Sequence, residues 1–215
     1  EVISNNFEYL KKINQLEANG DVQLFDLKND IIIKAQKIFY LKNKDKIFTL
    51  GKTLIKISDK YNVVGYDLIL LRDKMILSSK EKTVITDNQS NIYKLEEFQY
   101  SINKEILKGK NITFTTNNKK EESDKYFFKT GFFSFKEKKF LAKDISANLH
   151  KNLFGNNEND PRVNAVSGYG DEFNSYYNKG VFTSCKKTDK CPPWKITSNK
   201  IQHDRIKKKI IYKNA

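Results

Sequence analysis

The sequence predicts an all-β fold made of repeated hairpins, and three observations predict it. Helical periodicity is scarce along the 215 residues. Short alternating runs of strand length are common. One hairpin-sized pattern recurs from near the first residue to the last.

The runs come in order as "VQLF", "IIIKA", "TLIKIS", "DLILL", "NITFT" and "WKITS", with Lys, Asn, Asp or Gly between them. Their Ile, Val and Thr, with the many Tyr and Phe, suit a pleated and half-buried surface. "DISANLHKNLFG", residues 144–155, is ambiguous. Ile145, Leu149 and Leu153 recur every four residues and Gly155 is placed to close a helix, yet the neighbouring runs favour a strand.

The recurring pattern is an apolar residue, any residue, an aromatic one, and a glycine about ten residues on. Phe7-x-Tyr9 leads to Gly20, Ile38-x-Tyr40 to Gly51, and Phe98-x-Tyr100 to Gly109; Ile201-x-His203 leads to Asn214. The longest match is ungapped, "IKAQKIFYLKNKDKIFTLGK" from Ile33 against "ITSNKIQHDRIKKKIIYKNA" from Ile196. "FLAKDI" from Phe140 fits its first part. In each unit a strand with one apolar face is followed by a polar turn such as "KNKDK". A return strand is expected to end at Gly51 or its equivalent, where positive φ costs little. One hairpin cannot bury its apolar face alone. Stacked hairpins can, by curling into a sandwich or jelly roll.

A chain of this length buries roughly two-thirds of its unfolded surface. With 38% hydrophobic and 13% aromatic residues it is not a disordered, aromatic-poor sequence. The net charge of +14 favours an anionic partner: nucleic acid, an anionic membrane or a phosphorylated glycolipid. The joint abundance of Ile, Lys and Asn also fits a compositional bias of the genome. No apolar run reaches the roughly 18 residues of a membrane-spanning helix. The start at Glu1 and the stop at "YKNA" read as those of a piece of a longer protein.

Residues 182–204 gather both cysteines, the only tryptophan, two of the three prolines and one of the two histidines. Cys185 and Cys191 are five residues apart, and neither His203 nor His150 completes a standard zinc spacing. "CKKTDKCPP" lacks both the Cys-x-x-Cys spacing and the helix start of a redox enzyme. Pro192-Pro193 interrupts helix and central strand alike. Trp194 is expected as a core or rim aromatic. His203, standing where Tyr9 and Tyr40 stand in other repeats, is expected as a hydrogen-bonded structural histidine. Asp160-Pro161-Arg162 is expected as a buried turn with an Arg anchor. No Gly-rich phosphate loop, nucleophile elbow or metal-spaced cluster is present, so no enzyme activity, cofactor or metal is expected. "KTGFFSF", residues 129–135, faintly resembles an RNA-binding strand, but the two helices of that fold are not found. Nucleic acid is therefore not expected as a partner.

The repeat resembles the OstA-like domain shared by periplasmic lipopolysaccharide-transport proteins, and "ANGDVQL" (Ala18–Leu24) is similar to that family's recurrent turn and strand. "NENDPRV", "GVFTSCKKTDKCPPWKITSNKIQHD" and "KKKIIYKNA" resemble the end of the periplasmic domain in the LptD family of outer-membrane lipopolysaccharide-assembly proteins. The likeness runs through nearly the whole chain as repeats and is sharp over residues 157–215. It implies one OstA-like domain over 1–215, with hairpin repeats in 1–156. The last hairpins, 157–215, would lead toward a transmembrane barrel that this chain does not contain. It further implies an open, twisted, LptA-like β jelly roll on the periplasmic side of the outer membrane. Lipopolysaccharide acyl chains would move through its apolar groove, with no reaction catalysed. The partners implied are lipopolysaccharide, an LptA-like bridging protein paired along an edge strand, and an LptE-like lipoprotein reached through the barrel. A stand-alone bridging protein is the alternative within this reading.

In that family periplasmic cysteines bond to cysteines of the barrel, so the resemblance implies disulfide roles for Cys185 and Cys191. Paired with each other, they would close a loop worth roughly 2 kcal/mol. The pleat puts Val22, Leu24, Ile31, Ile33, Ile38, Tyr40, Ile47, Phe98, Tyr100, Ile112, Phe114, Ile196 and Ile201 on the apolar face as groove candidates, and Lys34 and Lys195 outside it.

Overall fold

The hairpin of the sequence is also the hairpin of the structure, a computed structural model that describes residues 1–118, 123–155, 158–188 and 193–215. The chain forms two compact units, one of residues 1–89 and 93–105, the other of 90–92 and 106–215. Both are antiparallel β of the jelly-roll type. Among the described residues the only helices are three short 3₁₀ turns.

The first unit holds β1 (Val2–Ile3), β2 (Asn6–Leu10), β3 (Gln15–Asp26), β4 (Ile31–Leu41), β5 (Lys46–Ile57), β6 (Tyr61–Tyr66), β7 (Ile69–Leu71), β8 (Ile76–Ser79), β9 (Thr83–Asp87), β10 (Ile92–Leu95, whose first residue groups with the other unit) and β11 (Glu97–Ser101). The second holds β12 (Ile106–Thr115), β13 (Lys125–Ser134), β14 (Lys139–Asn148), β15 (Arg162–Gly170), β16 (Asn174–Thr183), β17 (Ile196–Asp204) and β18 (Lys209–Lys213), each pairing with the next.

The turns share one chemistry. The polar loops after β2, β4, β7, β11, β13 and β17 each end on a residue in the left-handed region: Asn14, Asp45, Met75, Glu105, Lys138 and Lys208, with φ between 40° and 53°. In the first five, the N–H of that residue donates to the carbonyl three positions back. A type I turn closed by a left-handed residue matches the right-handed twist of the flanking strands. That match explains why a Lys/Asn/Asp loop serves at each of these reversals.

The repeat's glycine does a different job from the one expected. Gly51 (φ 78°) does not end a strand; β5 runs through it and changes partner there. Lys46–Phe48 pair with β7, while Lys52–Ile57 pair with β6. Gly20 (φ 80°) does the same in β3, which pairs with β2 before it and with β1 after it. The register between β3 and β4 shifts at this point, and that between β4 and β5 shifts opposite Gly51. Bulges of this kind bend a strand and turn the corner between two sheet faces.

The ungapped match from Ile33 and Ile196 is a structural equivalence. It aligns Asp45 with Lys208 and Gly51 with Asn214, and all four have positive φ. In the second unit the same feature crosses the sheet as a line of ladder interruptions at Asn111, Lys129, Asp144, Val166, Lys179 and Asn199. Asn111, Asp144, Lys179 and Asn214 carry the positive φ. The expected position Gly109 is not among them; Asn111 takes its place, because Asn tolerates the left-handed region almost as Gly does. Side chains switch face across the line: Lys110 is exposed and Ile112 buried.

Residues 144–155 divide between the two readings. β14 continues to Asn148, then Lys151–Phe154 form a 3₁₀ turn that Gly155 closes at φ 74°.

Candidate functional site

Each sheet turns its apolar face inward, and this interior is the candidate site. In the first unit Val22, Ile31, Ile33, Ile38 and Ile47 are all at most 2% exposed. Register explains the clustering: Ile38 sits opposite Ala18 on β3, and Tyr40 lies between Leu16 on β3 and Ile47 on β5. Burying each branched side chain stabilises the sheet by about 1.5–3 kcal/mol.

Near the edge formed by β1 the packing leaves a cavity of about 280 Å³. Leu16, Ala18, Leu24, Ile38, Tyr40 and Ile47 form its apolar wall. Asp26 and Arg72 supply polar groups to its lining. Arg72 donates to Asp26 Oδ2 at 3.1 Å and to Asp45 Oδ1 at 3.0 Å, and Tyr40 Oη donates to the same Asp45 oxygen at 2.9 Å. Burial works to raise the Asp26 pKa, but Asn29 and Arg72 outweigh it and hold the carboxyl below its ordinary value. Burial and then Asp45 push the Tyr40 phenol up. These partners neutralise Arg72, so the cavity is an apolar chamber beside a paired polar cluster.

Four of the groove residues expected from the sequence, Leu24, Ile38, Tyr40 and Ile47, line this cavity. Val22, Ile31 and Ile33 do not line it and are buried as core, as are Phe98 and Tyr100 of β11. In the second unit Ile112 and Ile201 are fully buried, whereas Phe114 and Ile196 are half-buried. Lys34 and Lys195 are exposed. Arg72, Asp26, Leu16 and Ala18 carried no signal in the sequence; Arg72 lies in a turn, outside the alternation of the strands.

The interior of the second unit is filled by aromatic rings. Phe128 packs against Tyr126, Phe133 and Phe140 at centroid distances of 5.7–6.0 Å. Gly168 makes room on this face: a Cβ there would stand 2.7 Å from Ile145 Cδ1 and 2.6 Å from the Tyr176 carbonyl oxygen.

Through this apolar interior runs a polar chain. Arg205, in the turn after β17, donates to Ser175 Oγ at 2.8 Å and to Tyr126 Oη at 3.1 Å. Tyr126 Oη donates to Asp124 Oδ2 at 2.9 Å, and Asp124 Oδ1 lies 3.0 Å from His150 Nδ1. Burial works to raise Asp124, yet the bonds from His150 and Tyr126 hold its carboxyl below the ordinary value. Tyr126 and Ser175 lie near opposite ends of their strands in the ladder, so their meeting through one guanidinium records how far the sheet curls.

His203 corrects an expectation. It is buried as foreseen, at 1% exposure, but neither ring nitrogen has a hydrogen-bond partner. Burial first, and then the nearby Arg205, lower its pKa to about 4. Tyr177 is likewise buried, and burial pushes its phenol up to about 12. The position is shaped for an aromatic residue, as Tyr9 and Tyr40 suggested. In those repeats the phenols reach Asn14 and Asp45 in the adjoining turn. Lys208 stands at the matching turn position and offers the shorter imidazole no such acceptor.

In the cysteine stretch, Cys185 is a buried thiol whose N–H donates to Thr183 Oγ1 and whose Sγ lies 3.6 Å from the Trp194 carbonyl oxygen. Cys191 and Pro192 lie outside the described residues, and with them the pairing expected of Cys191. Trp194, 44% exposed and packed at a tilt against Phe182, is a rim aromatic. Arg162 anchors its turn as expected, donating to the carbonyl oxygens of Asp160 and Cys185.

No family model matches the chain, and no curated protein matches it. Among solved structures it is similar to LptH, the LptA-homologous periplasmic component of the conserved lipopolysaccharide transport device of Pseudomonas aeruginosa. That match has 12% identity and a TM-score of 0.47, covering 51% of this chain and 80% of that one.

Proposed function

We propose that this chain is a non-enzymatic lipopolysaccharide-transport domain, of the kind that stands before the barrel in outer-membrane assembly proteins of the LptD family. The observation that carries the reading is the chamber walled by Leu16, Ala18, Leu24, Ile38, Tyr40 and Ile47. Its volume lies just below the range of whole-ligand pockets, about 300–1,000 Å³. That size suits a segment of acyl chain better than a complete headgroup. Each methylene that leaves water there contributes about 0.8 kcal/mol. The sequence resemblance over residues 157–215 supports the assembly-protein form over a stand-alone bridge, and it supports disulfide roles for Cys185 and Cys191. In this reading the domain works on the periplasmic side of the outer membrane. A bridging protein adds to its edge strand, and a lipoprotein partner is reached through the barrel.

The test is site-specific photocrosslinking to lipopolysaccharide. A photoreactive residue at Leu24, Ile38, Tyr40 or Ile47 is expected to capture the lipid, and one at Lys34 or Lys195 to leave it free. Capture at the lysine positions alone would remove the interior from the mechanism.

A further inference from the structure

The outward face of the second unit carries a second, separate surface. Following the strand register across β12 to β18, one row reads Lys108, Phe132, Leu141, Tyr169, Tyr176, Gln202 and Ile211. The row beside it reads Lys110, Thr130, Lys143, Ser167, Asn178, Lys200 and Lys213. The first is an apolar and aromatic ridge, with Leu141 58% and Tyr169 40% exposed. The second intersperses four lysines with small hydroxyl and amide side chains. Neither row holds a carboxylate.

The two rows are joined at one fixed point. Tyr169 and Tyr176 stack across the strands at 5.0 Å, and Lys200 Nζ sits 4.7 Å from the Tyr176 centroid while donating to Tyr169 Oη at 3.1 Å. Next to it Asn178 donates to Ser167 Oγ. Among the described residues Lys108, Lys143, Lys200 and Lys213 face no carboxylate, whereas other surface lysines of this unit, such as Lys138 and Lys139, are ion-paired.

We propose that this face binds an acidic or phosphorylated oligosaccharide. A sugar ring has an apolar C–H face and a rim of hydroxyls. The Leu141–Tyr169–Tyr176 ridge matches the first, and Thr130, Ser167, Asn178 and the Tyr169 hydroxyl match the second. The lysines meet the anionic substituents through field and direct contact. Six inter-strand spacings of about 4.8 Å make the row long enough for several rings in succession. Single-stranded nucleic acid is the less fitting polyanion. Its recognition leans on arginine for phosphate forks and stacking, and the chain's only arginines, Arg72, Arg162 and Arg205, are held in other contacts. The proposal does not depend on what occupies the interior.

The experiment titrates the purified chain with labelled heparin hexasaccharide, maltohexaose and hexauridylate. Heparin hexasaccharide is expected to bind at least about tenfold more tightly than either of the others. The double substitution Leu141→Ser, Tyr169→Ser is expected to weaken it by a similar factor at unchanged circular dichroism. In the unsubstituted protein the hexasaccharide is expected to shield Lys143 and Lys200 from acetylation. Equal binding of hexauridylate, or shielding spread evenly to Lys34, Lys52 and Lys56 of the other unit, would overturn the proposal. So would an affinity untouched by the double substitution.

Discussion

Acid should destabilise the second unit through His203, and the size of the effect follows from its surroundings. The imidazole is buried with both nitrogens unpartnered, and its pKa is lowered from 6.5 to about 4. Burial is the largest influence on its charge; Arg205 and His150 add to it, and Asp124 and Asp204 act against it. The unfolded chain therefore binds a proton between those two values that the folded chain refuses. Stability tied to this group is intact above pH 6.5 and falls as pH drops toward 4. Linkage puts the loss at roughly 1 kcal/mol by pH 5.5 and roughly 2–3 kcal/mol by pH 4.5. His203→Phe keeps the aromatic volume and removes the titration. Urea unfolding of both proteins at pH 7, 5.5 and 4.5 isolates the term, because every other acid is common to the pair. The variant is expected to gain on the parent by those amounts as pH falls. It should also be the more stable at pH 7, since removing an unsatisfied buried polar group recovers about 1–3 kcal/mol. A difference that stays flat from pH 7 to 4.5 would refute the reasoning and show that the ring is solvated or paired in solution.

Other predictions concern the bends and the polar chain. Gly51→Ala meets no atom within 4 Å, so its cost is conformational alone; about 1–2 kcal/mol is expected in chemical denaturation. Gly51→Asn should lose much less, as Asn214 holds the matching position at φ 56°. Arg205→Met is expected to destabilise the chain by about 3–5 kcal/mol through the stranded polar groups of Tyr126, Ser175 and Asp124. A double-mutant cycle of Arg205→Met with Tyr126→Phe should show a coupling of about 0.5–3 kcal/mol; strict additivity would place the two outside one network.

The hairpin unit was legible in the sequence because its two constraints are local. A strand needs a two-residue alternation, and a twisted reversal needs a residue that accepts positive φ. Asn14, Asp45 and Lys208 meet the second at equal spacing from Tyr9, Tyr40 and His203. The ungapped match of Ile33–Gly51 with Ile196–Asn214 therefore marked one backbone shape used twice. The role of Gly51 was harder to read. Its positive φ is local, but the change of partner from β7 to β6 depends on strands distant in sequence.

The sequence by itself determined the fold class, the chemistry of the turns, the inward face of the strands and the left-handed positions Gly20, Gly51 and Asn214, but not Asn111, which stands in for the expected Gly109. All of these follow from preferences a residue expresses within a few neighbours. Only the tertiary structure decided which apolar residues border open space and which are sealed. Leu24, Ile38, Tyr40 and Ile47 line the cavity, while Val22, Ile31 and Ile33 share their alternation and are packed shut. Tertiary structure also decided that Arg205 would reach Tyr126, 79 positions away, and that His203 would be left without a partner. Alternation tells a side chain which face to take. Curl and packing, which sum over many strands, decide what it meets there.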